Sequence, residues 1–145
     1  MAGLEERSHA LTVQTRGKGF VEVTRAVAAW LESVGAQSGL LTVFAAHTSA
    51  SLTIQENADP NVRVDLLDAL ERFAPEHHPY AHHEEGPDDM PSHIKSMLTE
   101  VSLSIPVRAG VMALGTWQGI YLVEHRAAPH QRRLVLSYIG RVGPA

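Results

Sequence analysis

The sequence predicts a single α+β domain, a largely antiparallel or mixed β-sheet sandwich with about three helices packed on it. Three observations point there. Short β-rich runs recur along the chain with turn residues between them, other stretches repeat apolar residues at helical spacing, and the two kinds interleave without a linker or an internal repeat. A length of 145 residues suits one domain over 1–145, and 44% hydrophobic with 19% charged residues suits one ordinary globular core.

"HALTVQT" alternates apolar and polar residues as a half-buried strand does, and Gly17 and Gly19 punctuate it. A helix is expected next: Thr24 suits its N-cap, Ala26, Val27, Trp30, Leu31 and Val34 share one face, and Gly35 suits its C-terminal end. The β-branched, apolar "GLLTVFAAHTSASLTIQE" reads as two neighbouring core strands joined near His47. In "ENADPNVRVDLLDALERFAP" Asp59 caps a helix, Pro60 takes its first position, and Val62, Leu66, Leu67, Leu70 and Phe73 form a stripe that ends before Pro75. From there to Pro91 the chain is polar and aperiodic, longer than most connections inside a domain. Ser92 is placed as the cap of a short helix through "HIKSMLTE", after which "VSLSIPV", "GVMALG", "QGIYLVEH" and "RRLVLSYIG" read as four strands.

Composition excludes several classes of chemistry. Without cysteine there is no thiolate nucleophile, no Cys-ligated zinc and no disulfide framework. A net charge of −4 argues against a nucleic-acid partner, although Arg126, Arg132 and Arg133 make a local basic group. No apolar run approaches the ~20 residues that span a bilayer, and "MAGLEERSHALTV" does not read as a secretory signal, so a cytoplasmic protein without a membrane partner is expected.

Three constellations carry candidate chemistry. In "YAHHEEGPDDMPSHIKS", His82 and His93 stand among carboxylates, and with His47 they would make three neutral-imidazole ligands and leave a position open, the pattern of a catalytic metal site. The other reading is a hydrogen-bonded His47 at a strand end and solvated loop histidines. Glu85 and Asp88 are candidates to orient a ligating imidazole or to act as general base, or else belong, like Glu84 and Asp89, to a solubilising loop. In "HTSASLTIQENADP", the hydroxyls of Thr48, Ser49 and Ser51 and the Asn57 amide are candidates for phosphate oxygens, with Asn57 and Asp59 alternatively holding a strand-to-helix turn. A Ser–His–Asp hydrolase lacks its G-x-S-x-G elbow. In "GTWQGIYLVEHR", Trp117 would stack on a ring or pack at a core or subunit interface, and Gln118 would bind a heterocycle or phosphate. Arg126 would fork onto phosphate or pair with Glu124 on a solvated face.

Together "HTSASLTIQENADPNVRVDLLDAL", "HHEEGPDDMPSHIKS" and "SLSIPVRAGVMALGTWQGIYLVEHR" resemble the YjbQ-like proteins, a group long classed as uncharacterised and often labelled secondary thiamine-phosphate synthase. The likeness runs from about Thr12 to Gly140. It implies a compact α+β fold, a homotrimer, and a metal or anion at a histidine-lined pocket. Carried over by position, its ligands are His47, His82 and His93, with a divalent ion such as zinc. His83 and Ala58 depart from residues common at those places in the family, so His83 is taken as incidental and no essential cysteine belongs at position 58. The implied activity joins a pyrimidine pyrophosphate to a thiazole phosphate and expels pyrophosphate, with the metal and Arg126 neutralising the leaving group and Trp117 holding a ring. The chain has no aspartate-rich pyrophosphate motif and no Gly-rich phosphate loop, which favours a main substrate of another kind. The expectation is a metal-dependent enzyme on a small phosphorylated metabolite; a metal-dependent hydrolase and a non-enzymatic metabolite- or oxyanion-binding module are the alternatives.

Overall fold

In chain order the elements are β1 (Glu5–Gln14), β2 (Gly19–Glu22), α1 (Thr24–Ser33), β3 (Ala36–Ala45), β4 (Ala50–Glu56), α2 (Pro60–Phe73), α3 (Asp89–Leu98), β5 (Ser102–Arg108), β6 (Val111–Met112), β7 (Gln118–Glu124) and β8 (Gln131–Val142). This computed structural model describes residues 3–144. Met1, Ala2 and Ala145, the ends of the expected domain and the start of the segment read for a signal, lie outside the described residues.

Every pairing is antiparallel, in a five-stranded sheet of order β1-β8-β3-β5-β6 and a three-stranded sheet of order β2-β7-β4. Period-two alternation sends Leu41, Val43 and Ala45 of β3, Leu134, Leu136 and Tyr138 of β8 and Leu103, Ile105 and Val107 of β5 inward. They meet Ala50 and Leu52 of β4, Ile120 and Leu122 of β7, and Val27 and Leu31 of α1 in one core. The result is the expected α+β sandwich with three helices, one domain with one core. Among the described residues no helix is long and apolar enough to cross a membrane.

The four C-terminal strands form as expected, and the stretch around "HALTVQT" is β1. Other expectations are corrected. The runs flanking His47 are not hydrogen-bonded neighbours: β3 and β4 belong to different sheets, because their inward residues face each other across the core. The chain changes sheets at "AHTS". Ser92 is not a cap either, since α3 begins at Asp89 and the Ser92 hydroxyl donates to the Asp89 carbonyl inside the first turn. Strand β2, four residues opening on Gly19 and too short to show alternation, is not among the expected elements; it pairs with β7.

The predicted α2 stands from Pro60 to Phe73, with Asp59 Oδ1 accepting from Asn61 N at 2.9 Å. Its stripe is only half covered, Leu70 being buried and Phe73 exposed. On α1 the N-cap is Val23 and not the expected Thr24, which is the first helical residue and serves as a hook: its hydroxyl donates to Glu22 and accepts from Ile120 N at 2.9 Å. Gly35 follows with φ of 70°, the left-handed conformation a helix end needs. Helices α2 and α3 lie over the outer face of the three-stranded sheet, where Arg63 donates to the Tyr121 hydroxyl at 3.0 Å and β7 is buried on both faces.

Leu122, fully buried where the two sheets meet, should cost about 3 kcal/mol on replacement by alanine, and Asp59→Ala about 1 kcal/mol through loss of the cap, both read from urea denaturation midpoints.

Candidate functional site

The long connection after α2 contains no strand or helix until Asp89. Tyr80 ties it down locally by donating to the Pro75 carbonyl at 2.8 Å, and Gly86, at φ of 102°, turns it into α3. What docks it is Arg126, just beyond β7. Its Nε donates to Asp88 Oδ2 at 3.0 Å, its Nη1 to Asp89 Oδ1 at 2.7 Å and its Nη2 to the Glu85 carbonyl at 3.0 Å. Asp88 also accepts from Ala127 N at 2.8 Å.

Asp89 is the centre of the site. Its Oδ2 faces His82 Nε2 at 2.6 Å and His93 Nε2 at 3.1 Å, His93 lying one helical turn further along α3. The three ligand atoms all lie within 4.8 Å of one another. His93 Nδ1 donates to the Thr48 carbonyl at 2.9 Å. In the neutral ring this leaves the lone pair on Nε2, aimed at Asp89 and His82, the orientation a backbone acceptor imposes on a metal-binding histidine. Burial works to raise the Asp89 carboxyl, but the hydrogen bond from His82 and the charge of Arg126 prevail and hold it below the usual carboxylate range. Asp88 is likewise held low, burial being outweighed by Ala127 N–H and Arg126.

Of the residues singled out in the sequence, His82 and His93 are thus brought together, and His47 is not among the clustered ligand atoms. Its Nε2 accepts from Arg133 N at 2.7 Å, so its proton is on Nδ1. Burial, with the nearby charge of Arg132, pushes His47 below its ordinary value. Asp89, read as a solubilising residue, stands beside His82 and His93 where His47 was expected. The missed signal was Asp89 and His93 four apart on one helix face. Asp88 is spent on Arg126 and Ala127, while Glu85 is exposed and contributes only its carbonyl to these bonds. Arg126 has all three nitrogens on acidic or carbonyl oxygens and is a clamp, not a free phosphate fork. Nor does it share a solvated salt bridge with Glu124, which is fully buried and paired with Arg132.

Thr48 and Ser49 flank the cluster, but Asn57, Trp117 and Gln118 stand at the far end of the same sheet. Between the end that Arg126 follows and this far one, the seven residues of β7, Gln118–Glu124, run about 20 Å at the usual rise. There Asn57 N donates to the Trp117 carbonyl at 2.9 Å, its amide to Glu22 at 3.3 Å, and Gln118 Oε1 accepts from Gly115 N at 2.7 Å, so Asn57 and Gln118 close turns. Trp117 is 62% exposed. Two open clefts of about 420 Å³ border the cluster, one lined by His82, Tyr80 and Gly86, the other by His47, Thr48, Ser49 and Arg132.

The sequence matches the family described as "UPF0047 protein YjbQ-like" over residues 9–141. The chain belongs to that family. A UPF0047 protein from Synechocystis, sll1880, is 44% identical over 97% of both chains, and the UPF0047 protein YjbQ of Salmonella typhimurium is 43% identical over 90% of this chain and 95% of its own. A conserved hypothetical protein from Thermus thermophilus superposes with a TM-score of 0.79 at 39% identity, over 88% of this chain and 97% of that one. A protein of unknown function from Sulfolobus solfataricus, at 23% identity, shares the fold with a TM-score of 0.89 over 96% of this chain and all of its own. The resemblance seen in the three sequence blocks is therefore family membership, across nearly the whole chain.

Behind α3 lies a second polar chain of bonds. Thr99 donates to the Lys95 carbonyl at 2.8 Å, which leaves its oxygen to accept from Ser51 at 2.5 Å, and Ser51 in turn accepts from His125 Nε2 at 2.8 Å. His125 is thereby the Nε2–H tautomer, with a buried and unpartnered Nδ1. Burial, reinforced by Lys95, pushes its pKa from 6.5 down to about 4. Above pH 6.5 the ring is neutral whether folded or unfolded and contributes no pH dependence; as pH falls from 6.5 to 4 only the unfolded chain gains the proton. Wild type should lose on the order of 3 kcal/mol across that window and His125→Gln should lose this part of the slope, by denaturation at stepped pH. Asp88, Asp89, Glu71 and Glu124, all held low, contribute fully above the usual carboxylate range and lose that contribution as pH falls through it toward their lowered values.

Proposed function

We propose that this chain is a metal-dependent enzyme acting on a small phosphorylated metabolite, with a divalent ion, zinc by its donor set, held by His82, Asp89 and His93. The observation that carries this reading is the bond from His93 Nδ1 to the Thr48 carbonyl, which frees Nε2 to point at the same oxygen that faces His82. Bound there, the ion would supply Lewis acidity or activate a water. The protein's own part is orientation: Arg126 holds the other oxygen of Asp89, and Thr48 fixes the ring of His93. Two imidazoles and one carboxylate would leave an ion room for substrate, and His82 and Thr48 connect the cluster to the flanking clefts.

Thiamine-phosphate formation, the activity implied by the sequence resemblance, is the first reaction to assay. Hydrolysis of a phosphorylated metabolite is the second, favoured because a two-histidine, one-carboxylate donor set is one that hydrolytic zinc sites use. A cytoplasmic protein without nucleic-acid partners goes with either, supported by the net charge of −4 and the absence of cysteine.

The same reading takes the working unit as a homotrimer. Its support is the outer face of the five-stranded sheet, where Leu40, Phe44 and Ile139 are exposed, and the position of Trp117, too far along β7 to meet a ligand at the ion of its own chain. Light scattering should return three times the 15.8 kDa chain mass; a monomer would remove this part of the reading.

Protein purified without a nickel column should contain close to one zinc-like ion per chain by elemental analysis, lost in His82→Ala, Asp89→Asn and His93→Ala and kept in His47→Ala and Glu85→Gln. Wild type without metal, or metal surviving Asp89→Asn, would sink the assignment. Metal without any metal-dependent turnover on phosphorylated substrates would instead make the chain a binding module.

A further inference from the structure

The cleft on the Thr48 side of the cluster contains a cation that the sequence pointed to only as part of a basic group. Arg132 is on β8 and only 5% exposed. Its Nε donates to Glu124 Oε1 at 2.8 Å; its Nη2 donates to Glu124 Oε2 at 2.5 Å and to the Ser49 carbonyl and hydroxyl at 3.2 and 3.0 Å. Among the described residues Nη1 makes no hydrogen bond. It is also absent from the fully buried, partnerless side-chain atoms of the described residues, which are Ser96 Oγ and His125 Nδ1, so solvent reaches it. Arg132 lines the cleft of about 420 Å³ with Phe44, His47, Thr48, Ser49 and Val101. A guanidinium fixed on one edge by a fully buried carboxylate presents its free edge in a set direction.

Two further donors line the same cleft. The Ser49 hydroxyl accepts from Arg132, which leaves its own proton to give. His47 accepts through Nε2 from Arg133 N, so its Nδ1 carries a hydrogen that has no partner among the described residues. Glu124, the one carboxylate bonded to Arg132, is buried behind the guanidinium and not on the cleft wall. Three different donor groups around an open space match the terminal oxygens of a tetrahedral oxyanion better than the two oxygens of a carboxylate.

We propose that the cleft at the β3–β4 turn is a phosphoryl subsite, with Arg132 Nη1, the Ser49 hydroxyl and His47 Nδ1–H as donors, holding the substrate's non-reacting phosphate beside the ion. Successive residues join the two parts: the Thr48 carbonyl orients His93, and Ser49 braces Arg132. The subsite rests on the metal reading only for what happens at the reacting end of the substrate; its own donors require no ion.

The test is calorimetric titration with inorganic phosphate, and with acetate as the planar control, on zinc-loaded and chelator-treated protein. Wild type should bind phosphate in both states and in preference to acetate. The paired variant Glu124→Gln/Arg132→Met, which strands no buried charge, should bind it about 10-fold or more weakly with its metal content unchanged, and Ser49→Ala a few fold more weakly. Independently of any variant, the side-chain nitrogen signals of Arg132 in arginine-labelled wild type should move on phosphate addition while those of Arg126 stay. No phosphate binding by wild type, binding no better than acetate, undiminished binding by the paired variant, binding that disappears with the metal, or an unmoved Arg132 signal would each overturn the subsite. Phosphate binding through Arg132 in a protein that never holds metal would instead uphold the subsite and remove the metal reading.

Discussion

Strand β7 is covered on both faces, and Glu124 at its end is followed by His125 and Arg126, three polar groups whose burial is costly without partners. Alternation sends them to separate partners. Glu124 turns inward to Arg132 and Thr15, His125 turns outward to Ser51 behind α3, and Arg126, past the end of the strand, reaches Asp88 and Asp89. Each of these bonds places part of the site. Through Arg126 the start of α3 is pulled onto the strand end, which sets Asp89 and His93; through Glu124 the fork of Arg132 is turned toward the cleft.

Such an arrangement is costly unless every charge is answered, because buried ions regain little more than their desolvation penalty. Here the answers are dense. Asp89 meets Arg126 and two imidazoles, Glu124 meets Arg132 and Thr15, and the buried Lys95 of α3 pairs with Glu71 of α2, which also takes Lys18. The inner side of α3 is correspondingly polar, with Ser92 and Lys95 buried where an ordinary amphipathic helix would carry aliphatic residues. The network holds Asp88 and Asp89 by bonds from several sides, which fixes the start of α3 against the end of β7.

The site carries a division that one chain does not bridge. His82, Asp89, His93, Thr48, Ser49 and Arg132 gather at one end of the three-stranded sheet, whereas the "GTWQG" turn, with Trp117 exposed, closes the other. Strand length alone keeps the two ends apart. Inside one chain, no single small ligand reaches from the imidazole cluster to Trp117.

The sequence by itself determined the elements and the kind of fold, because alternation, helical spacing, the Asp59 cap and the turn residues are local properties of the chain. Family membership was legible for the same reason, in three contiguous blocks. His82 and His93 were legible as candidates since both fall in one polar connection whose length already marked it. Which carboxylate joins them was not. Asp88 and Asp89 are adjacent in sequence and alike in type, and Arg126, 37 residues beyond Asp89, holds both; what separates them is that Asp88 has its second partner in Ala127 N while the other oxygen of Asp89 faces the imidazoles. The fate of His47 was decided by the backbone of Arg133 on β8, and the burial of Arg132 by a carboxylate on β7. Periodicity reports which face a residue takes; what it meets there depends on packing between distant strands, and that only the tertiary structure decided.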